Sequence, residues 1–280
     1  MMKTIDTKTI TENVKRLCIE AATFIEKDVL NKIKESIDNE VGLPKQILSQ
    51  IVENDILASD ENVPMCQDTG ITIVFVEIGN EVFINGDLNE AINLGVSQGY
   101  TEGYLRKSVV KSPLNRINTK DNTPAIIHIK YTLGDKLKIT VCPKGAGSEN
   151  MSKVKMLVPA DGINGIKKFV KDTILEAGGR ACPPLVVGIG IGGNLEKSAI
   201  LAKESLLRPI DDESDDIDAN KLEKELLKEI NELNVGPMGL GGKTTALAVK
   251  VNLYPCHIAS LPVAVNIQCH ASRHKVVILW

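Results

Sequence analysis

Apolar residues in the first sixty positions recur at helical spacing. Val14, Leu17, Cys18, Ala21, Phe24 and Ile25 share one face of a segment that Thr11 or Asn13 can cap. A second such face, Ile47, Leu48, Ile51 and Val52, follows Pro44, whose fixed φ suits a first helical turn. At residue 66 the texture changes. The polar turn CQDTG (66–70) opens onto ITIVFVEIG (71–79), a run of β-branched residues that predicts a buried strand. Residues 87–110 return to helix. AIIHIKYTL (125–133) and KLKITVC (136–142) alternate in polarity about Gly134-Asp135 and predict an antiparallel hairpin. A glycine-rich turn, KGAGSEN (144–150), follows at once.

The second half repeats this alternation of helix and strand without repeating sequence. Helices are predicted over 163–177, 195–207 and 220–233, the last with Leu222, Leu226, Ile230 and Leu233 on one face. Strands are predicted for LVVGIGIGG (185–193) and TALAVKVNLY (245–254). The acidic stretch DDESDDID (211–218) reads as a solvated loop. The pattern predicts a mixed α/β (α+β) chain. A helical lobe over about 1–60 would pack on an α/β body over about 61–280, a mixed sheet with flanking helices.

Composition narrows the function. The 280 residues carry 33 Lys plus Arg against 36 Asp plus Glu, a net charge of −3, which argues against binding nucleic acid or membrane surfaces by bulk charge. Aromatics are only 3%, too few for a base-stacking platform. No apolar run reaches membrane-spanning length, and the first residues lack the apolar core of a secretory signal, so a cytoplasmic setting is expected.

Three motifs tempt and fail. Gly188, Gly190 and Gly193 satisfy G-x-G-x-x-G between strand and helix, but Asp211 follows a helix and Pro209 rather than a second parallel strand. Close strand–helix packing is the plainer use of these glycines. GLGGKTT (239–245) resembles a phosphate loop, but Pro237 stands where its leading glycine belongs, and a strand rather than a helix follows. There is no G-x-S-x-G elbow.

Six cysteines, at 18, 66, 142, 182, 256 and 269, contain no C-x-x-C pair, which excludes zinc knuckles and thioredoxin-type chemistry. Cys66, Cys182 and Cys269 sit in polar or glycine-rich turns at the ends of predicted elements. Three thiolates on such loops could hold three irons of a [4Fe–4S] cluster and leave the fourth open. Cys18, Cys142 and Cys256 read as small buried hydrophobes.

CQDTG (66–70), KGAGSEN (144–150), ACPP (181–184), GLGGKTTALAV (239–249) and NIQCHASRH (266–274), in this order, resemble the α region of class I fumarate hydratases and of their sister family, the L-tartrate dehydratases. The resemblance implies a [4Fe–4S] cluster on Cys66, Cys182 and Cys269 whose open iron serves as a Lewis acid on the substrate hydroxyl. It implies Asp68 and His257 as catalytic residues, and Gln67, Arg106, Lys144, Gly145, Ala146 and Gly147 as substrate-binding residues. The common family form of the glycine turn has three consecutive glycines; here Ala146 is the middle one. His270 and His274 are expected to support the Cys269 loop, and His128 to be structural.

Family members carry a further C-terminal region, whereas this sequence ends at Trp280. The expectation is therefore an α subunit completed by a separate β subunit, with α–α contact in an α2β2 assembly. The reaction expected is reversible hydration of fumarate to (S)-malate, with L-tartrate dehydration to oxaloacetate as the alternative. The SEN after the glycine turn resembles the fumarases more closely. A cluster scaffold or sensor without catalysis is the reading from another class, and it leaves Asp68, Arg106 and His257 without a purpose. Nucleotide binding through GIGIGG would predict affinity for NAD and no brown colour.

Overall fold

A computed structural model describes residues 2–280. In chain order the elements begin with β1 (Lys3–Asp6), α1 (Thr7–Thr23), α2 (Lys27–Asp38), α3 (Gly42–Glu61), β2 (Ile71–Gly79), β3 (Val82–Asn85) and α4 (Leu88–Glu102). Next come β4 (Ile126–Thr132), β5 (Leu137–Lys144), the short α5 (Ala146–Glu149), β6 (Lys153–Leu157) and α6 (Gly162–Ala177). Last are β7 (Leu185–Gly193), α7 (Leu195–Ser205), α8 (Ile217–Asn231), β8 (Ala246–Cys256), β9 (Leu261–Gln268) and β10 (Lys275–Leu279). The architecture is mixed α/β, as the periodicity predicts. No helix among the described residues is long and apolar enough to cross a membrane.

The chain divides into two compact units. The first comprises residues up to Ile25, Asp55–Ala146 and Arg273–Trp280; the second comprises Glu26–Asn54 and Gly147–Ser272.

In the first unit, a four-stranded sheet has the order β10-β5-β2-β4, with β2 antiparallel to β5 and parallel to β4. The predicted hairpin of β4 with β5 is absent because β2 lies between them. Strand β2 is apolar on both faces, and a central place hydrogen-bonds both its edges. The Gly134 turn instead straddles its end: the Gly79 and Asn80 N–H groups donate to Lys136 and Thr132 carbonyls, and the Gly134 N–H donates to Asn80 Oδ1.

Helices α1 and α4 cover this sheet through Val14, Leu17, Cys18, Ile92, Val96 and Tyr100. Helix α1 starts at Thr7, so neither Thr11 nor Asn13 caps it; Thr11 is buried and its hydroxyl donates to the Ala91 carbonyl. Helix α4 stops at Glu102, eight residues short of the predicted end. Gly103 caps it, Tyr104 turns into left-handed backbone (φ 54°), and Leu105 returns to the core. Arg106 therefore sits on the irregular segment beyond the helix.

In the second unit, the sheet has the order β6-β9-β7-β8, with β7 and β8 parallel and β9 antiparallel to its neighbours. Val187, Ile189 and Ile191 join Ile166, Val170 and Ile174 of α6 and Leu222, Leu226 and Ile230 of α8 in one core. Gly188 and Gly190 face α7. A Cβ at Gly190 would overlap the Ser198 carbonyl oxygen and lie 2.5 Å from the Ala202 nitrogen. The GIGIGG motif thus lets a helix lie almost on the strand.

GLGGKTT does not open onto a phosphate either. Its N–H groups already have protein acceptors: Thr244 donates to the buried Glu40 carboxylate (2.6 Å), Gly242 to Asn234 (3.0 Å), and Thr245 and Ala246 to Asn231.

The acidic loop is more anchored than its composition predicts. Asp212 accepts two bonds from Arg208 and one from Lys250, which is 2% exposed, while Asp216 caps α8. Burial alone would raise the Asp212 pKa; hydrogen bonds from Arg208 and Lys250 outweigh it and hold the carboxyl below its ordinary range.

Two outcomes follow. Gly190→Ala forces strand and helix apart and is expected to cost at least about 2 kcal/mol in urea unfolding. Asp212→Asn removes the negative charge facing Arg208 and the buried Lys250, leaving Lys250 only neutral acceptors at Asp212, and is expected to cost about 2–3 kcal/mol at neutral pH. Because the folded pKa is depressed, this contribution is complete above the unfolded carboxyl value of about 3.9 and fades as pH falls towards the folded one. The wild-type advantage over the variant should therefore shrink only below about pH 4, as acid titrations of unfolding would record.

Candidate functional site

Asp68 is the best-defined side chain of the predicted set. Its Oδ1 accepts the Gly70 N–H (3.0 Å) and its Oδ2 accepts the Ala146 N–H (2.8 Å), so the carboxylate bridges CQDTG and KGAGSEN within the first unit. Two backbone donors fix its orientation without neutralising it. Gly70 makes this possible. It lies at φ +75°, and a Cβ there would come within 2.6–2.7 Å of the Lys144 backbone. Lys144 is buried at the end of β5, and Gly145 is buried beside it, whereas Ala146 is exposed.

The backbone around Asp68 is fastened from behind. The Tyr100 hydroxyl, fully buried, donates to the Thr69 carbonyl at 2.6 Å and lies 3.2 Å from that of Gly70. Burial raises the pKa of this phenol, keeping it protonated and a donor. Asn122 donates to the Gly70 carbonyl, and the Thr69 hydroxyl donates to the Arg106 carbonyl at 2.8 Å. That last bond ties the Arg106 segment to the Asp68 turn and leaves the Arg106 guanidinium exposed. Gln67 is exposed as well.

Cys182 and Cys269 belong to the second unit, where the His270 N–H donates to the Cys182 carbonyl at 3.2 Å and lays the two loops side by side. Cys182 itself adopts left-handed backbone, φ 54°, uncommon for a residue with a Cβ. The Cys269 sulfur lies 3.6 Å from Gln268 Nε2. Gly147 is also in this unit, exposed in α5. His257 sits on the exposed turn between β8 and β9; its Nδ1 accepts the Ala259 N–H at 3.1 Å, leaving Nε2 to carry the proton of the neutral ring. The turn borders a pocket of about 420 Å³ lined by Ile163, Ile191, Leu222, Leu253 and Ile258. His128 stacks on Phe75 in the first unit, centroids 4.9 Å apart.

The thiols separate by burial. Cys18 and Cys142 are buried, Cys66 and Cys269 half-buried, Cys182 and Cys256 exposed, and none forms a disulfide. Burial pushes the Cys18 pKa up to about 12. Cys256 corrects the expectation of a third core cysteine. It closes the edge strand β8, still paired with Gly193 of β7, but Leu253 to Ala259 are all exposed. Among the described residues no three His, Cys, Asp or Glu side chains gather as they would round a single ion. A polynuclear cluster spreads its thiolates over different irons.

Sequence reasoning missed Tyr100 and Arg273. Tyr100 looks like one more apolar position of α4. Arg273 lies within NIQCHASRH but is 3% exposed, and its Nη2 donates to the Asp68 carbonyl. A lone arginine just before a half-apolar strand was the signal available.

Comparison with known proteins is specific about the family. Residues 11–278 match the family model described as fumarate hydratase (Fumerase). A Methanocaldococcus jannaschii protein, provisionally named L(+)-tartrate dehydratase subunit alpha, is 46% identical over 275 residues, covering 95% of this chain and 96% of that protein. The Escherichia coli O157:H7 protein named L(+)-tartrate dehydratase subunit alpha is 31% identical over 275 residues, covering 96% and 90%. The chain belongs to the fumarate hydratase (Fumerase) family.

Alkylation followed by mass spectrometry tests the division of thiols. Cys182 and Cys256 should label first, and Cys18 only when the chain unfolds, because it is both enclosed and held as a thiol. Early labelling of Cys18 would contradict the packing of α1 on α4.

Proposed function

We propose that this chain is the α subunit of a two-subunit hydro-lyase that adds and removes water at a four-carbon dicarboxylate. The observation that carries this is the Asp68 carboxylate, fixed by the Gly70 and Ala146 N–H groups beside the tethered Arg106 segment. Dehydration needs a proton delivered to the departing hydroxyl and a clamp on the substrate carboxylates. Asp68 holds that proton on one carboxyl oxygen and transfers it as the carbon–oxygen bond breaks. Arg106, exposed and on an ordered segment, pairs with a substrate carboxylate through its forked N–H groups. Gln67 and the turn Lys144, Gly145, Ala146 and Gly147 orient the substrate, and His257 offers an imidazole Nε2 for proton transfer.

The donor set fits a [4Fe–4S] cluster. Ligation requires thiolates, and Cys66, Cys182 and Cys269 lie in accessible loops, whereas Cys18 is enclosed and held protonated. Bound to these three cysteines, the cluster would supply a Lewis-acidic iron to the substrate hydroxyl. Relatives named as alpha subunits support a separate β subunit, which would add further cationic groups and the base. An α2β2 assembly with α–α contact is part of the same proposal.

Two substrates compete. The family description names fumarate, and the relatives' names favour L(+)-tartrate. The test is anaerobic reconstitution with iron and sulfide, then assay with the β subunit for fumarate hydration and L(+)-tartrate dehydration. A brown chromophore lost on Cys182→Ala or Cys269→Ala is expected. So is turnover of one substrate that falls about 10²–10⁴-fold in Asp68→Asn. A loaded complex that turns over neither substrate would overturn the proposal.

A further inference from the structure

Arg208, partly buried, and Arg273, buried, are held in opposite ways. Arg208 is structural: Nε and Nη2 donate to Asp212, and Nη1 donates to Glu223 and to the Val251 carbonyl. Its charge is matched and its donors are used. Arg273 is 3% exposed, and its donors are not all used. Nη2 donates to the Asp68 carbonyl, while Nε and Nη1 are buried with no hydrogen-bond partner among the described residues. Orphaned donors on a buried cation oppose folding, so packing does not account for an arginine here.

Its place in the fold does. Strand β10 pairs antiparallel with β5, Lys275 opposite Val141, which delivers Arg273 to the end of β5 where Lys144 leads into Gly145 and Ala146. A Cβ built on Gly145 would lie 3.1 Å from Asp68 Oδ2 and 3.8 Å from Arg273 Nη2. The guanidinium, the Asp68 carboxylate and the Gly145–Ala146 backbone therefore occupy one small volume of the first unit. Gly70 and Ala146 hold the carboxylate, Tyr100 holds the next two carbonyls, and Arg273 holds the carbonyl of Asp68 itself.

We propose that Arg273 is a positioning residue: it fixes the Asp68 backbone so that the carboxylate is presented in one orientation, at the expense of fold stability. This rests on the reading of Asp68 as the acid–base group of a hydro-lyase. It also yields an outcome that a structural arginine would not give. Arg273→Met keeps the unbranched apolar stem, removes the orphaned donors and releases Asp68.

The test uses the full chain, alone and assembled with its β subunit. In R273M the thermal midpoint is expected to stay equal or rise. Amide exchange in peptides spanning 68–72 and 144–149 is expected to quicken about tenfold, the change implied by losing one hydrogen bond from a charged donor. In the assembled enzyme, kcat is expected to fall about 10–100-fold with KM within about twofold, and Arg273→Lys, which keeps a cationic donor group, to recover part of it. A lowered midpoint with exchange raised throughout the first unit would make Arg273 structural and overturn the proposal, as would unchanged exchange in the two peptides. If wild-type enzyme turns over neither fumarate nor tartrate, the hydro-lyase reading fails, and the exchange measurement still decides whether Arg273 fixes Asp68.

Discussion

The close approach of Gly70 to the backbone of Lys144 governs the chemistry-bearing end of the first unit. At φ +75°, with Lys144 atoms where a Cβ would be, position 70 admits glycine alone. That contact starts β2 and β5 in register, Ile71 opposite Lys144. Asp68, just before one strand, and Ala146, just after the other, are then brought within a hydrogen bond. One donor to the carboxylate comes from its own turn and the other from a turn 78 residues away, so local sequence alone does not complete the arrangement. What the sheet contributes is rigidity: β2 is paired on both edges and buried on both faces, so the turn at its start inherits a fixed point of departure.

Much of this was legible from local pattern. Strand β2, the strands carrying GIGIGG and ALAVKV, and the helices at 163 and 195 appear where periodicity places them, because each is long and strongly apolar on the face it buries. Sheet order was not legible. AIIHIKYTL, GD and KLKITVC have every local mark of a hairpin, yet both strands pair with β2, far earlier in the chain, and not with each other. Turn chemistry says that two strands can meet; which strand occupies the centre depends on which most needs both edges covered. The end of α4 was misread for a related reason. Residues 103–110 can be drawn on a helix, but burying Leu105 against the sheet requires leaving it, and the left-handed backbone at Tyr104 makes that turn.

The site residues divide along the same line. Asp68 and the cysteine turns were visible because polar and glycine residues interrupt apolar runs there. Tyr100 and Arg273 were not, since their roles depend on what lies behind the Asp68 turn, which only tertiary structure supplies. Cysteine burial was half legible. Cys18 sits on an apolar helical face and is enclosed, whereas Cys256 ends the edge strand β8, whose last residues are exposed, so an apolar run misled where its end is left uncovered.

Ala146 shows how backbone geometry decides which departures from a motif matter. The resemblance favours three glycines in this turn, and a substitution in a glycine turn ordinarily threatens either its conformation or the space it leaves open. Neither applies at 146. Ala146 opens the short helix α5, where an L-residue is comfortable, its methyl is exposed, and it contributes a backbone N–H to Asp68 that any residue except proline possesses. Position 145 is different. A side chain there would begin 3.1 Å from Asp68 Oδ2, crowding the one carboxylate that the whole turn holds in place. Each carboxylate oxygen accepts one backbone N–H and retains capacity for a second bond, so the anchored group can still meet a substrate oxygen or carry a proton. Glycine at 145 guards that remaining capacity, alanine at 146 leaves it untouched, and so the turn keeps its function while losing the middle glycine.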